Sequence, residues 1–405
     1  MKESTPYINE EMIKAVSISL RNLNLSKFVG SPHDNVYRLL GVTSDKLTQN
    51  CFSEKTFFGG RSIRELERDW ANLMNVKYCI SVNSATSGLI TAINALGDKG
   101  FGNKIITTPF SFTASASAIS LANCTPIFAD IDLDTFCLSP KFVEELICKS
   151  GIKAILYVSW CGNAGHWNSL KHASCSIPII EDASQSIGNK YKERYIGTLG
   201  DIGVFSLNEP KNIQAGEGGM IVTNNTNYAV RSRLIRNHGE NIVREGEEDE
   251  WLQDIIGYNF RLTEIQADIA KIQLRKLKDL NTFRLLNYLY IIDALKDYRD
   301  VLIPQKITNS EYYPYCMAFR WVGKNFSRDE VAQKFHERGV PVSTGMHRLL
   351  CDHPYYTSRG IKADVPNARL LNDQYLGFFQ IGYPNKHNDM DNIIEIFKKI
   401  MKGKM

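Results

Sequence analysis

The sequence predicts an α/β protein, with a mainly parallel sheet flanked by helices and a smaller α+β portion after it. Three observations carry that reading. Short apolar runs alternate with helical patterns from about residue 75 to about residue 225, which is the spacing of βαβ units. A long stretch, 261 to 295, interleaves charged and apolar residues as a helix connecting two domains does. Beyond residue 300, strand-like and helical segments mix.

The elements follow in order. Residues 9 to 23 read as an amphipathic helix on which Met12, Ile13, Val16, Ile18 and Leu20 cluster. Residues 25 to 60, broken by GSPHDN and FFGG, read as loop and short helix, either a lid over a site or a plain surface insertion. SIRELERDWANLMN is a helix starting at a Ser62 cap, with Glu65 completing a capping box. Strand YCISV leads to the helix NSATSGLITAINALG, which ends at Gly97. Strand KIITTP, helix SFTASASAISLAN, strand TPIFADI, helix SPKFVEELICKS and strands IKAILYVSW and IPIIED continue the alternation. Ile202 to Leu207 and Met220 to Thr223 form two more strands, separated by the glycine-rich turn 216 to 219. Past the long helix come strand YCMAFRWVG, helix SRDEVAQKFHERG capped by Ser327, and a final helix from about Met390.

Composition narrows the function classes. The chain has 405 residues, 43% hydrophobic and 23% charged, as soluble globular proteins of two or three domains do. A net charge of +4 gives no support for nucleic-acid or membrane-surface partners. MKESTPYINEEMIKAV mixes acid, base and apolar residues and does not read as a signal peptide. No apolar run approaches the roughly 18 residues of a membrane span. Nine cysteines without a CxxC pair point to reduced thiols and a cytoplasmic protein.

Four strand-to-helix or strand-to-strand junctions carry candidate chemistry. Ser84 to Gly88, including Thr86 and Ser87, can turn amides and hydroxyls onto a phosphate at a helix N-terminus. Phe112 can stack on a flat cofactor. Asp182 ends a buried strand, where open α/β sheets place ligand contacts. Lys211 stands between two strands, with Ser206 five residues before it. Singly, each has a plainer explanation, as a helix cap, a core aromatic or a surface lysine. Together they match one cofactor class: pyridoxal 5′-phosphate, which needs a Schiff-base lysine and an acid for its ring nitrogen. No GxxxxGK[ST] and no GxGxxG after a strand occurs, which disfavours nucleotide triphosphate and nicotinamide readings.

Over roughly residues 60 to 280 the chain resembles the DegT/StrS-type sugar aminotransferases, a branch of the fold-type I aminotransferases. The resemblance rests on TTPFSFTASASAI, IIEDASQS, SLNEPKNIQAGEGG, RNHGE and GYNFRLTEIQA. It implies a large domain with a mainly parallel seven-stranded sheet at 61–275 and a smaller α+β domain at 276–405. Residues 1–60 are then an N-terminal helix and loop segment, lid-like in position. It implies Lys211 as Schiff-base lysine and proton carrier, Asp182 at the pyridine nitrogen, Phe112 stacked on the ring and Gln185 near the phenolic oxygen. Thr86, Ser87 and Ser206 are the implied phosphate ligands, with Asn259 reaching in from the neighbouring subunit of a homodimer.

The implied reaction moves an amino group, from L-glutamate, to a keto group on a nucleotide-linked sugar bound for a polysaccharide or a glycosylated product. Dehydratases of the same family are the alternative, but they carry His where this chain has Lys211. Free keto-sugars, keto-octulosonates and keto-cyclitols are alternative acceptors, and a non-catalytic ligand-binding member is the reading from another class. The chain departs from the family at SWCGNAGHW, with Ser159 for His, and at SLNEPK, with Asn208 for His. Asn208 and His166 are therefore candidate substrate contacts, and the resemblance adds His347, because the family has a His near that position that faces the substrate. His347, Cys351 and His353 lack a fourth ligand for zinc, so no metal is expected. Arg236 and His238 are read as supports for the cofactor loop or the subunit contact, and REGEEDE as a solvated loop.

Overall fold

The computed structural model describes residues 60–97, 103–239 and 255–403, together with Glu11 and Lys14. The helix read at 9–23, the segment 25–59 and the REGEEDE loop lie outside the described residues, the first apart from those two positions.

A seven-stranded sheet organises the larger part of the chain. Its strands are β1 (Tyr78–Val82), β2 (Lys104–Thr107), β3 (Thr125–Phe128), β4 (Ile152–Val158), β5 (Ile179–Asp182), β8 (Ile202–Ser206) and β9 (Gly219–Thr223). A short hairpin, β6 (Lys190–Tyr191) and β7 (Arg194–Tyr195), stands apart. The order across the sheet is β1-β9-β8-β5-β4-β2-β3. Only β9 runs against its neighbours, β1 and β8. The carboxyl ends of the other six strands therefore share one edge with the start of β9.

Helices cover both faces, so the strands are nearly continuous apolar runs rather than alternating ones. Around the sheet lie α1 (Arg61–Met74), α2 (Ala85–Ala95), α3 (Thr113–Leu121), α4 (Pro140–Ser150), α5 (Trp167–Ala173), α6 (Thr226–Arg236) and α7 (Glu264–Arg275). On one face Ile155, Tyr157 and Phe205 pack with Leu66, Trp70 and Leu170. On the other, Leu156, Val204 and Ile221 pack with Leu89 and Ile93 of α2 and Ala229 of α6. Gly88 lets α2 lie close on the sheet, because a Cβ there would meet Val204 Cγ1 at 2.8 Å.

Two local expectations are corrected. Helix α1 begins at Arg61 behind Gly60, with no side-chain cap of its own. The amides of Ser62 and Ile63 donate instead to the Glu264 carboxylate, at 2.9 and 3.1 Å. A carboxylate at the N-terminus of α7 thus does the work expected of Ser62, while Glu65 pairs with Arg61 and Lys271. The single helix expected over 261–295 is two, α7 and α8 (Leu277–Ala294), meeting at Lys276. Beyond that break α8 turns a polar stripe inward. Asn281 donates to the Ile187 carbonyl, Arg284 to Tyr315 and Asn287 to Ile381, at 2.9, 3.0 and 2.9 Å.

The stripe ties the large sheet's loops to a second, antiparallel sheet of order β10-β11-β12 (Leu302–Pro304, Met317–Trp321, Tyr375–Phe378). Its core joins Met317, Phe319, Leu376 and Phe378 to Phe335 of α9 (Arg328–His336) and Phe397 of α12 (His387–Met401). Ser327 caps α9 with a capping box to Glu330, as expected from the sequence. Two short helices, α10 (Pro354–Thr357) and α11 (Pro366–Gln374), precede β12. The last helix starts at His387, three residues before Met390, and the Asp389 carboxylate accepts the Lys386 amide at 2.8 Å.

Candidate active site

A cavity of about 370 Å³ opens at the shared carboxyl edge of the large sheet. Each strand end or helix start there delivers one or two side chains. The start of α2 brings Ser84 and Thr86, the β2–α3 junction Ser111 and Phe112, and β4 Val158 and Trp160. Asp182 closes β5, with Ser184 and Gln185 in the turns after it. Ser206 ends β8, and Asn208, Lys211 and Glu217 follow in the connection to β9. Tyr315, Met346 and Phe379 come from around the smaller sheet and close the far wall.

Asp182 is buried and doubly held. Its Oδ2 accepts from the Ser115 hydroxyl at 2.9 Å, and its Oδ1 from the Ser184 amide at 3.3 Å. No helix follows it, so it is not the helix cap that is its plainer sequence reading. The Lys211 ammonium lies 3.5 Å from the Tyr315 hydroxyl and 4.4 Å from that ring's centre. Burial lowers its pKa to about 8, against the opposing pull of the Asp182 carboxylate. A lysine near 8 sheds its proton readily and makes a better nucleophile than an exposed one. Gln185 is fixed by the Cys161 amide, which donates to Oε1 at 2.6 Å. Ser84 caps α2, accepting the Ser87 amide at 3.1 Å.

The sequence of residues 41–396 matches the DegT/DnrJ/EryC1/StrS aminotransferase family. The chain belongs to this family. An uncharacterized protein of Methanocaldococcus jannaschii is 28% identical over 355 residues, covering 84% of this chain and 90% of that one. In fold this chain is similar to an aminotransferase from Psychrobacter cryohalolentis, with a TM-score of 0.82, 23% identity and 99% of both chains covered. The Helicobacter pylori aminotransferase PseC, involved in the biosynthesis of pseudoaminic acid, superposes equally well, with a TM-score of 0.82, 24% identity and 99% of both chains covered. The fold is that of the fold-type I aminotransferases, a mostly parallel seven-stranded sheet flanked by helices.

The cavity of this DegT-family chain suits pyridoxal 5′-phosphate. It offers a phosphate the N-terminus of α2, whose first turn carries no acidic residue. Gly219 brings β9 against that N-terminus, since a Cβ there would meet the Ala85 nitrogen at 2.8 Å. An amine, a held carboxylate and an aromatic ring line the same space.

Of the residues expected from the sequence, Thr86, Phe112, Asp182, Gln185, Ser206, Asn208 and Lys211 line the cavity together. Ser87 stands one residue deeper, its hydroxyl 2.9 Å from that of Ser84. Asn259 is exposed and bridges Asn237, outside its own chain's cavity. His347 is exposed beside the lining residue Met346. His166 stands apart at the N-cap of α5, its ring 3.5 Å from Asp132. Arg236 is buried against Glu67 at 2.8 Å and the Ser81 carbonyl at 3.1 Å, so it braces α6, α1 and β1.

Ser115, Glu217, Tyr315 and Phe379 are the additions of the structure. Ser115 had a signal, lying four residues after Ser111 near the start of α3, and the two hydroxyls are 3.0 Å apart. Nothing local in the sequence marks Tyr315 or Phe379, because they reach the site only through the second sheet.

Proposed function

We propose that the chain is a pyridoxal phosphate-dependent aminotransferase that moves an amino group from L-glutamate to the keto group of a nucleotide-linked deoxy-sugar. The cofactor is pyridoxal 5′-phosphate, as in its family. The carrying observation is a lysine, rather than a histidine, at 211, with its amine in the same cavity as Asp182. When bound, the cofactor supplies an electron sink for the carbon that gives or receives the amino group.

The chain's residues do the rest. Lys211 anchors the cofactor and then carries the proton between substrate and cofactor carbons. Asp182, oriented by Ser115, would pair with the ring nitrogen, and the exposed Phe112 ring would stack on the cofactor. Gln185, whose Oε1 accepts the Cys161 amide, would lie near the phenolic oxygen. Thr86, Ser87 and Ser206 would hold the phosphate, joined by Asn259 of a second copy. Exposed Ile256 and Tyr258 flank Asn259 and support that dimer reading. Asn208, which donates to Glu217 at 2.8 Å, and His347 face the acceptor.

We divide the chain at about residue 275 into the cofactor-binding domain and a smaller one, as the break at Lys276 suggests. No described helix is long and apolar enough to cross a membrane, and we place the enzyme in the cytoplasm.

Absorption spectra of wild type and Lys211→Ala, before and after L-glutamate, test the reading. The wild-type visible band converts to that of the aminated cofactor, and the variant does not convert. A wild type that binds the cofactor yet ignores L-glutamate removes the donor assigned here.

A further inference from the structure

Tyr315 stands just before β11, where the second sheet meets the cavity. Its ring packs edge to face on Phe379, with centroids 5.4 Å apart. Its backbone is pinned from behind, since buried Arg284 on α8 donates to its carbonyl at 3.0 Å. What that anchored ring presents to the cavity is Lys211. The Nζ sits 4.4 Å from the ring centre and 3.5 Å from the hydroxyl. A cation over an aromatic face is held by the ring quadrupole, more strongly when water is excluded.

We propose that Tyr315 is a positioning residue for Lys211, its face holding the ammonium and its hydroxyl aiming the amine during proton transfer. The inference rests on the reading of Lys211 as anchor and proton carrier. While Lys211 is charged, one ammonium N–H points to the phenol oxygen. Once Lys211 is neutral, the phenol O–H donates to the nitrogen lone pair. The phenol keeps its own proton throughout, because burial pushes its ionisation far above the physiological range.

The other groups facing Lys211 are held by contacts other than the Tyr315 side chain, Arg284 through the Tyr315 backbone carbonyl, which the substitutions below keep. Asp182 on β5 favours the charged amine, Arg284 on α8 disfavours it, and the Cys161 and Cys316 thiols lie nearby. Glu217 lines the same cavity from the β8–β9 connection. A change in Lys211's behaviour on substituting Tyr315 alone therefore reports Tyr315.

Two variants separate face from hydroxyl. Tyr315→Phe keeps the ring and its packing on Phe379, and Tyr315→Leu removes both contacts. Cofactor-free wild type and variants are mixed with pyridoxal 5′-phosphate across pH, and the rate of covalent capture is followed by absorbance. Loaded enzymes are then mixed with L-glutamate in single turnover.

The wild-type capture rate rises with a midpoint near Lys211's value of about 8. The Phe variant keeps that midpoint, and the Leu variant moves it down by about half a unit to one unit. Both slow the single turnover by about tenfold or more. A Leu variant with the wild-type midpoint, or a Phe variant within about twofold of wild-type turnover, overturns the proposal. If wild type captures the cofactor but ignores L-glutamate, the donor assignment falls and the capture profiles still judge Tyr315. If the Leu variant fails to fold, the turnover of the Phe variant decides.

Discussion

The Ser115 hydroxyl donates to Asp182 Oδ2 at 2.9 Å, while the opposite oxygen, Oδ1, takes the Ser184 amide at 3.3 Å. The carboxylate is thereby held in one orientation at the end of β5. A carboxylate free to rotate there would lose part of any interaction with a bound ligand to the entropy of ordering it.

Ser115→Ala removes that donor from a buried charged acceptor. Such bonds contribute about 1.5–3 kcal/mol, so the dissociation constant for pyridoxal 5′-phosphate rises by about tenfold to a hundredfold. Ser115→Thr keeps the hydroxyl and stays close to wild type. Titration of the cofactor-free proteins by fluorescence quenching checks both, and an Ala variant binding as wild type does would remove the orienting role.

Lys211 makes the folded chain's stability depend on alkaline pH. Its folded value of about 8 lies below its ordinary 10.5, so between those values the unfolded chain binds a proton that the folded chain does not. Stability therefore rises with pH across that window, and the full burden is present below about pH 8. Lys211→Met lacks the burden. Without cofactor it melts higher than wild type at pH 7, by about 1–2 °C, and the advantage fades as pH approaches 10.5. Thermal melts of the two proteins over this range check the sign.

The junction residues were legible from the sequence because each belongs to a local pattern: an apolar run, then a small or polar residue, then a helix or turn. Thr86, Phe112, Asp182 and Lys211 all sit at such junctions, and the parallel sheet brings its junctions to one edge. Tyr315 and Phe379 belong to no such pattern, because they enter the site through a second sheet positioned by the buried polar face of α8. The capping error at Ser62 has the same origin. The Ser62–Glu65 spacing is the local signature, yet the helix end is satisfied by Glu264 from about 200 residues away. His166 shows the converse, a departure from the family pattern whose ring lies beside Asp132 and does not line the cavity.

That distant cap makes a stability prediction. Glu264→Ala leaves the Ser62 and Ile63 amides without their acceptor and costs about 1–2 kcal/mol. Glu264→Gln keeps one carbonyl oxygen and costs less. Burial raises the Glu264 pKa above 4.5, so wild type loses stability as pH rises from that value through the folded one. The Gln variant carries no such charge, and its deficit shrinks over the same pH rise. Urea denaturation at pH 5 and pH 7 measures both effects.

Gly219 tests whether the start of α2 must sit where it does. It opens β9 beside the cavity, and a Cβ there would meet the Ala85 nitrogen and the Ser84 carbonyl group at 2.8 Å. Those atoms are backbone, so they cannot swing away as a long side chain would, and α2 has to shift at its N-terminus. The rest of α2 is held on the sheet by Leu89 and Ile93 in the core, so the displacement concentrates in the turn that carries Ser84, Thr86 and Ser87. Gly219→Ala therefore weakens phosphate binding more than it weakens the fold. Affinity for pyridoxal 5′-phosphate falls about tenfold, while affinity for pyridoxal without phosphate changes about twofold or less. Equal losses for the two ligands would mean that the substitution disturbs the whole cavity rather than the phosphate end.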